Sequence, residues 1–402
     1  MKQTVTCQRT YLISAETLWH FLRDFYADWH PAMAWCKRDP DNVRRFAGSD
    51  DGTIYREQLV EFSDAERRYR YVALEGIAGI ELYEGTLRVI ADGEACVVVQ
   101  SAEIHAQQPR LDSVAAGTEF IFNMGLDALE TIVAEQLTIQ TQQIDGDPKL
   151  TVDVAGNGEL VLFLHGIGGG RRNWRGQLTA LSSLCRAVAL DFRGYGDSKL
   201  GSEAVTVANQ VDDIRRVMAH FDAEKVHLVG LSYGSWLAAC FAHLHPELVA
   251  SLTCCAGSTG MSEADSAEIE RFRQLRLIPM EAGQTPADIA ESVVNFISGP
   301  AISETAHAEL LASMQAIPRK TYVAALRCFL APPFKIAFEQ FNFPTQFIAG
   351  EHDKLASPAE MLGVASRVPN SHFAIIENAG HLINLEQPTQ YNQVIRQIPN
   401  KR

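Results

Sequence analysis

The sequence has no Cys-x-x-Cys pair, no internal repeat and no low-complexity tract. Its eight cysteines (Cys7, Cys36, Cys96, Cys185, Cys240, Cys254, Cys255 and Cys328) are scattered, most of them in apolar runs. A free thiol there packs as a small core residue, so a disulfide framework is disfavoured and a reducing cytoplasm is expected. The longest apolar stretch, 226–244, is broken by His227, Ser232, Tyr233, His243 and two glycines, too polar for a membrane span. The opening Met-Lys-Gln-Thr-Val-Thr lacks the apolar core of a signal peptide. Positive charge is in short supply: 35 Lys and Arg stand against 49 Asp and Glu, a net charge of −14. Nucleic-acid backbones and anionic membrane surfaces are therefore not expected partners.

What remains is an ordinary globular composition, 47% hydrophobic over 402 residues, enough for two or three domains with their own cores. The rhythm changes near residue 138. Before it, Ser14 caps a short helix whose apolar positions, Ala15, Leu18, Trp19, Leu22 and Phe25, follow helical spacing. Strand-like runs follow at 53–62, 67–75, 81–91 and 95–106, with Ala91-Asp92-Gly93-Glu94 as a hairpin turn. Ile121, Met124, Leu129, Ile132, Val133 and Leu137 then mark one face of a helix over about 114–137. This is an α+β plan. The acidity is concentrated here, since residues 1–137 hold 13 of the basic side chains but 22 of the acidic ones.

Ala15-Glu16-Thr17-Leu18-Trp19, Asp24-Phe25, Trp29-His30-Pro31 and Met124-Gly125-Leu126 carry a resemblance over most of residues 1–137 to the START/polyketide-cyclase-like helix-grip (SRPBCC) superfamily. It implies an apolar cavity between sheet and long helix, and hence an apolar ligand or an interaction role for this domain. Trp19, Trp29 and Trp35 are adequately explained as core, and His30 beside Pro31 as structural.

From 138 to 402 strands alternate with helices: strands at 150–155, 159–165, 186–192, 225–231, 249–254, 343–349 and 372–376, helices at 171–183, 203–221, from 233, at 357–367 and from about 386. Such alternation predicts a mostly parallel sheet with helices on both faces. A helical insertion of mixed charge interrupts it at about 258–335.

Gly230-Leu231-Ser232-Tyr233-Gly234 is a G-x-S-x-G run between a buried-strand pattern and the opening of a helix. That strand, sharp turn and helix is what a nucleophile elbow requires. A serine hydroxyl needs a base to take its proton. His381 follows the last strand, and Asp353 follows the strand at 343–349. The chain order Ser232, Asp353, His381 is the order of the α/β-hydrolase triad. His352, beside the acid, is the weaker candidate for the base.

Residues 138–400 resemble the α/β-hydrolase superfamily, with a helical lid at about 258–335. Within it they are most similar to 3-oxoadipate enol-lactonases and related esterases, through Pro344-Thr345, Ile348-Ala349-Gly350, Ala379-Gly380-His381 and Asn384-Leu385-Glu386-Gln387-Pro388. The loop Leu164-His165-Gly166-Ile167-Gly168-Gly169 resembles the family's H-G loop, which implies an oxyanion hole from the N–H groups of Ile167 and Tyr233. The stretch 191–198 matches a second family signature and reads as a structural turn, with Asp197 outside the catalytic set. Ser235 stands where many relatives continue with glycine.

His165, Gly166, Trp174, Trp236 and Arg327 are expected around the substrate. The lid's basic residues (Arg271, Arg273, Arg276, Arg319, Lys320 and Arg327) could each meet a substrate carboxylate, although the interspersed acids read as a solvated face. The function expected is a serine hydrolase cleaving a small carboxylic ester or lactone through an acyl-enzyme, with no metal and no organic cofactor. Two alternatives stay open: a diketone C–C hydrolase or cofactor-free perhydrolase using the same triad, and a non-enzymatic ligand receptor.

Overall fold

Seven strands and two helices build residues 1–138 in the computed structural model, which describes residues 1–50, 52–93, 95–300 and 302–398. The strands are β1 (Lys2–Tyr11), β2 (Met33–Asp39), β3 (Val43–Gly48), β4 (Ile54–Ser63), β5 (Arg68–Glu75), β6 (Ile80–Asp92) and β7 (Ala95–Ala106). They form one antiparallel sheet in the order β1-β7-β6-β5-β4-β3-β2. Along β7 every second residue is buried from Cys96 to Ala106, the period-2 pattern of a half-buried strand. Helix α1 (Ala15–Leu22) starts at Ser14, whose hydroxyl accepts the Thr17 N–H at 3.1 Å. Helix α2 (Arg110–Leu137) packs on β1 and β7, and the Tyr11 hydroxyl donates to its Leu126 carbonyl at 2.7 Å.

The four strands expected from sequence are present. Three more, β1, β2 and β3, lie outside that expectation: β2 and β3 carry Lys, Arg and Asp, and in β1 the buried Val5, Cys7 and Tyr11 alternate among polar residues. The turn after β6 has Gly93 at φ +62 with Asp92 opposite Ala95, while Glu94 lies outside the described residues.

The interior of this unit is only partly apolar. Arg44 is buried and donates through Nε to Glu57 at 2.7 Å and through Nη1 to the Phe25 carbonyl at 2.9 Å. Its guanidinium lies 4.1 Å from the centre of the Phe25 ring and 5.2 Å from that of Tyr71. His30 is buried nearby in sequence, accepting the Ala32 N–H at Nδ1 and bonding the Ile121 carbonyl through Nε2 at 3.1 Å. Burial pushes its imidazole down to about 4.

The rest of the chain, apart from two three-residue segments grouped with the first unit, forms a second compact unit. Its strands are β8 (Gln140–Ile144), β9 (Leu150–Ala155), β10 (Leu160–Leu164), β11 (Arg186–Asp191), β12 (Val226–Leu231), β13 (Val249–Cys255), β14 (Thr345–Gly350) and β15 (His372–Ile376). Their order is β15-β14-β13-β12-β10-β11-β9-β8. From β11 to β15 the pairings are parallel, and β8 and β9 add an antiparallel edge. Strand β8, Gln-Thr-Gln-Gln-Ile, is too polar to register as a strand from sequence; the edge position explains that polarity.

Helices α3 (Arg175–Leu181), α4 (Val207–His220) and α5 (Tyr233–Leu244) join the central strands. The expected helix at 171–183 begins as a single 3-10 turn, and the expected 203–221 helix waits until Thr206 caps it. The final helix is broken at Gln387 by Pro388, which cannot continue the preceding turn. Between β13 and β14 the chain makes the lid helices Ser266–Phe272, Pro286–Ile297, Glu304–Gln315 and Arg319–Leu330. No helix among the described residues is long and apolar enough to cross a membrane.

Replacing Glu57 by Gln leaves the Arg44 charge buried and uncompensated, at an expected cost of about 3–5 kcal/mol in urea unfolding. His30 supplies a pH test. Its folded-state value lies below its unfolded one, so its stabilisation is full above about 6.5 and is lost as pH falls towards about 4. Urea midpoints at stepped pH should decline across that window, and less steeply in His30→Gln.

Candidate active site

Ser232 follows β12 and caps α5 with φ 55° and ψ −117°, in a region that side chains other than glycine rarely occupy. The two glycines make this backbone fit. A Cβ on Gly230 would lie 2.3 Å from the Gly234 carbonyl oxygen, and one on Gly234 would lie 2.2 Å from that of Leu164. The Ser232 N–H donates to the Cys255 carbonyl at 2.8 Å, tying the turn to β13. Tyr233 is the first residue of α5, where N–H groups have no partner inside the helix. Ser235 is fully buried and donates through its hydroxyl to the Gly257 carbonyl, so its side chain is anchored one turn behind the serine.

Asp353 follows β14 and is buried. One carboxylate oxygen accepts the N–H groups of Leu355 at 2.8 Å and Ala356 at 3.1 Å. The other meets His381 Nδ1 at 2.9 Å. Burial pushes this carboxyl up, but the His381 interaction and the two backbone donors outweigh it and hold the group below its ordinary value.

A residue that sequence reasoning missed as a separate actor shapes the His381 loop. Glu386 is buried and accepts three N–H groups, from Gly299 at 2.6 Å, Gly380 at 2.8 Å and Leu382 at 3.0 Å. The His381 N–H itself donates to the lid carbonyl of Ile297 at 2.9 Å. A carboxylate five residues after a candidate base was visible in the sequence, but its three backbone partners meet only in the fold.

The H-G loop is braced from below. Arg171 is buried and pairs with Asp153 at 2.9 Å, with Asp191, and with Asp197 at 2.7 Å. Gly196, at φ +50, closes against the Asp191 carboxylate, and Asp191 accepts the Arg171 and Asp197 N–H groups. The stretch 191–198 is thus a turn organised around Asp191, with Asp197 spent on Arg171. His165 accepts the Phe192 N–H at Nε2 and therefore donates from Nδ1 to the Gly166 carbonyl at 2.7 Å. Burial pushes its imidazole down, so it stays a neutral brace with both nitrogens engaged.

Ser232 and His381 line one cavity of about 1160 Å³. Gly166, Ile167 and Tyr233 line it too, as do His165 and Trp174. Two expected pocket residues do not. Trp236 is buried one layer back, in edge contact with Phe329 at 5.3 Å and Tyr233 at 5.4 Å, beneath the cavity-lining Gly260. Arg327 is 64% exposed and pairs with Glu281 at 2.7 Å, because its position on Arg319–Leu330 faces away from the cavity. Among the described residues, no group of three His, Cys, Asp or Glu side chains is placed to hold a metal ion.

Glu386→Ala should lower the unfolding midpoint, at about 1–3 kcal/mol for each buried N–H left without an acceptor. Calorimetric melting of the variant against the parent checks this.

Residues 159–388 match the family model described as alpha/beta hydrolase fold, and residues 2–134 match the model for polyketide cyclase / dehydrase and lipid transport. A thermophilic esterase from Thermogutta terrifontis, solved with malate bound, is 27% identical; the match covers 64% of this chain and 97% of that one at a TM-score of 0.58. The enol-lactonase from Burkholderia xenovorans is 18% identical and covers 65% of this chain and 100% of its own, with a TM-score of 0.54, a likeness of fold. Among curated relatives, the dihydrolipoyllysine-residue acetyltransferase component of an acetoin cleaving system from Pseudomonas putida is 26% identical over 316 residues, covering 76% of this chain and 78% of the relative. The chain belongs to the alpha/beta hydrolase fold family, as a hydrolase whose first third matches the polyketide cyclase and lipid transport model.

Proposed function

We propose that Ser232, His381 and Asp353 form a catalytic triad that cleaves a small carboxylic ester or lactone through an acyl-enzyme. The observation that carries this reading is the His381–Asp353 hydrogen bond of 2.9 Å, made by a histidine that shares a cavity with the strained Ser232. Asp353 engages Nδ1, which leaves Nε2 as the basic nitrogen for the serine proton and stabilises the imidazolium that forms. Ser232 Oγ attacks the carbonyl carbon, and the developing oxyanion takes the N–H groups of Ile167 and Tyr233. His381 then returns the proton to the leaving alcohol. Water, deprotonated by the same histidine, attacks the acyl-enzyme and releases the acid. The thermophilic esterase and the enol-lactonase support ester or lactone as the substrate class.

The division of labour we propose sets residues 1–137 apart as a ligand-binding or interaction domain, in keeping with the lipid-transport description of the family model it matches. The catalytic domain is then 138–402, with its lid at about 258–335.

A fluorophosphonate probe should label the parent protein and leave Ser232→Ala unlabelled. Hydrolysis of p-nitrophenyl esters should fall at least ~1,000-fold in the same variant. Ester turnover that survives the substitution unchanged excludes the mechanism.

A further inference from the structure

One wall of the catalytic cavity comes from the lid helix Ser266–Phe272 and the π-helical turn Arg273–Leu277 that continues it. Pro279 has no N–H to close an ordinary turn onto residue 275, and the Ile278 N–H reaches back to the Arg273 carbonyl instead. Glu268, Arg271, Phe272, Leu275 and Arg276 share the cavity face of this segment.

Arg276 is half-buried there, close enough to the buried Tyr322 phenol for its charge to oppose the rise that burial imposes on that group. No ion pair or hydrogen bond engages its side chain among the described residues. The other cations along the cavity stand differently. Arg367 is neutralised by Glu263 at 2.8 Å, the Lys354 ammonium sits 5.8 Å from the centre of the Phe296 ring, and Arg271 is exposed. A guanidinium keeps its charge and offers five N–H donors, and on Arg276 no carboxylate among the described residues takes them, so they face the cavity available to an anionic ligand.

We infer that Arg276 is the substrate's carboxylate receptor: this hydrolase takes esters or lactones that carry a free carboxylate remote from the scissile bond. The planar fork of Arg276 holds that carboxylate by two parallel N–H···O bonds, while the scissile carbonyl meets Ser232 in the same cavity. The inference rests on the reading of Ser232 as nucleophile and adds the charge of the substrate to it.

The test pairs two esters of one leaving group, p-nitrophenyl butyrate and the mono-p-nitrophenyl ester of glutaric acid, the second carrying the carboxylate. In Arg276→Gln the ratio of kcat/KM for the acid ester over the neutral one should fall ~10- to 100-fold, the loss of a charged hydrogen-bonded contact. Arg276→Lys should restore part of the ratio, and Arg327→Gln, exposed and paired with Glu281, should leave it where it was. In parallel, glutarate binding is measured by calorimetry on Ser232→Ala with and without Arg276→Gln, and should weaken by a similar factor. If the neutral ester is turned over but neither ratio nor binding responds to Arg276, the inference is overturned and the hydrolase stands. If neither ester is turned over while glutarate binding still depends on Arg276, the carboxylate receptor stands and the nucleophile reading fails.

Discussion

Between Gly230 and Gly234 the chain passes closer to its neighbours than a side chain permits, and the positive φ of Ser232 exists only because of that approach. A non-glycine residue held there costs about 1–3 kcal/mol, which the surrounding sheet must over-determine. It does so with a fully buried strand on one side, a strand buried at all but Ala250 on the other, and a hydrogen bond from Ser232 N–H to the Cys255 carbonyl. The serine is thereby raised at the end of β12, and the H-G loop, the His381 loop and the lid are arranged around it.

Three buried carboxylates organise those surroundings, each by collecting donors. Asp191 holds the 191–198 turn and Arg171 beneath the H-G loop. Asp353 fixes the His381 ring and the start of its own loop. Glu386 joins the His381 loop to Gly299 of the lid. The logic is common to all three: a carboxylate out of water is tolerable when charge-assisted bonds replace its hydration, and those bonds then hold loop backbone in place. In the first unit Arg44 and Glu57 repeat the arrangement with the charges buried against aromatic rings.

Legibility in the sequence followed the strength of local pattern. The parallel strands could be read because burial on both faces makes them continuous apolar runs, as in Leu-Val-Leu-Phe-Leu at 160–164. Strands β2, β3 and β8 escaped because edge or charged strands have no such run, even though each pairs with the next strand along the chain. The residues of the candidate site were readable as chemistry-bearing types after strands. Trp236 and Arg327 misled because a helical position's facing depends on what its helix packs against.

By itself the sequence determined the family, the chain order of Ser232, Asp353 and His381, and the change of architecture near residue 138, since each is written in short local motifs or in the period of apolar residues. Only the tertiary structure decided that, of the lid's six basic residues, Arg271 and Arg276 line the cavity and Arg276 alone of the two is half-buried, and which carboxylate clamps the His381 loop. Both depend on contacts between segments far apart in the chain, 87 residues for Glu386 and Gly299, where side-chain direction and pairing are set by packing and leave no trace in local composition.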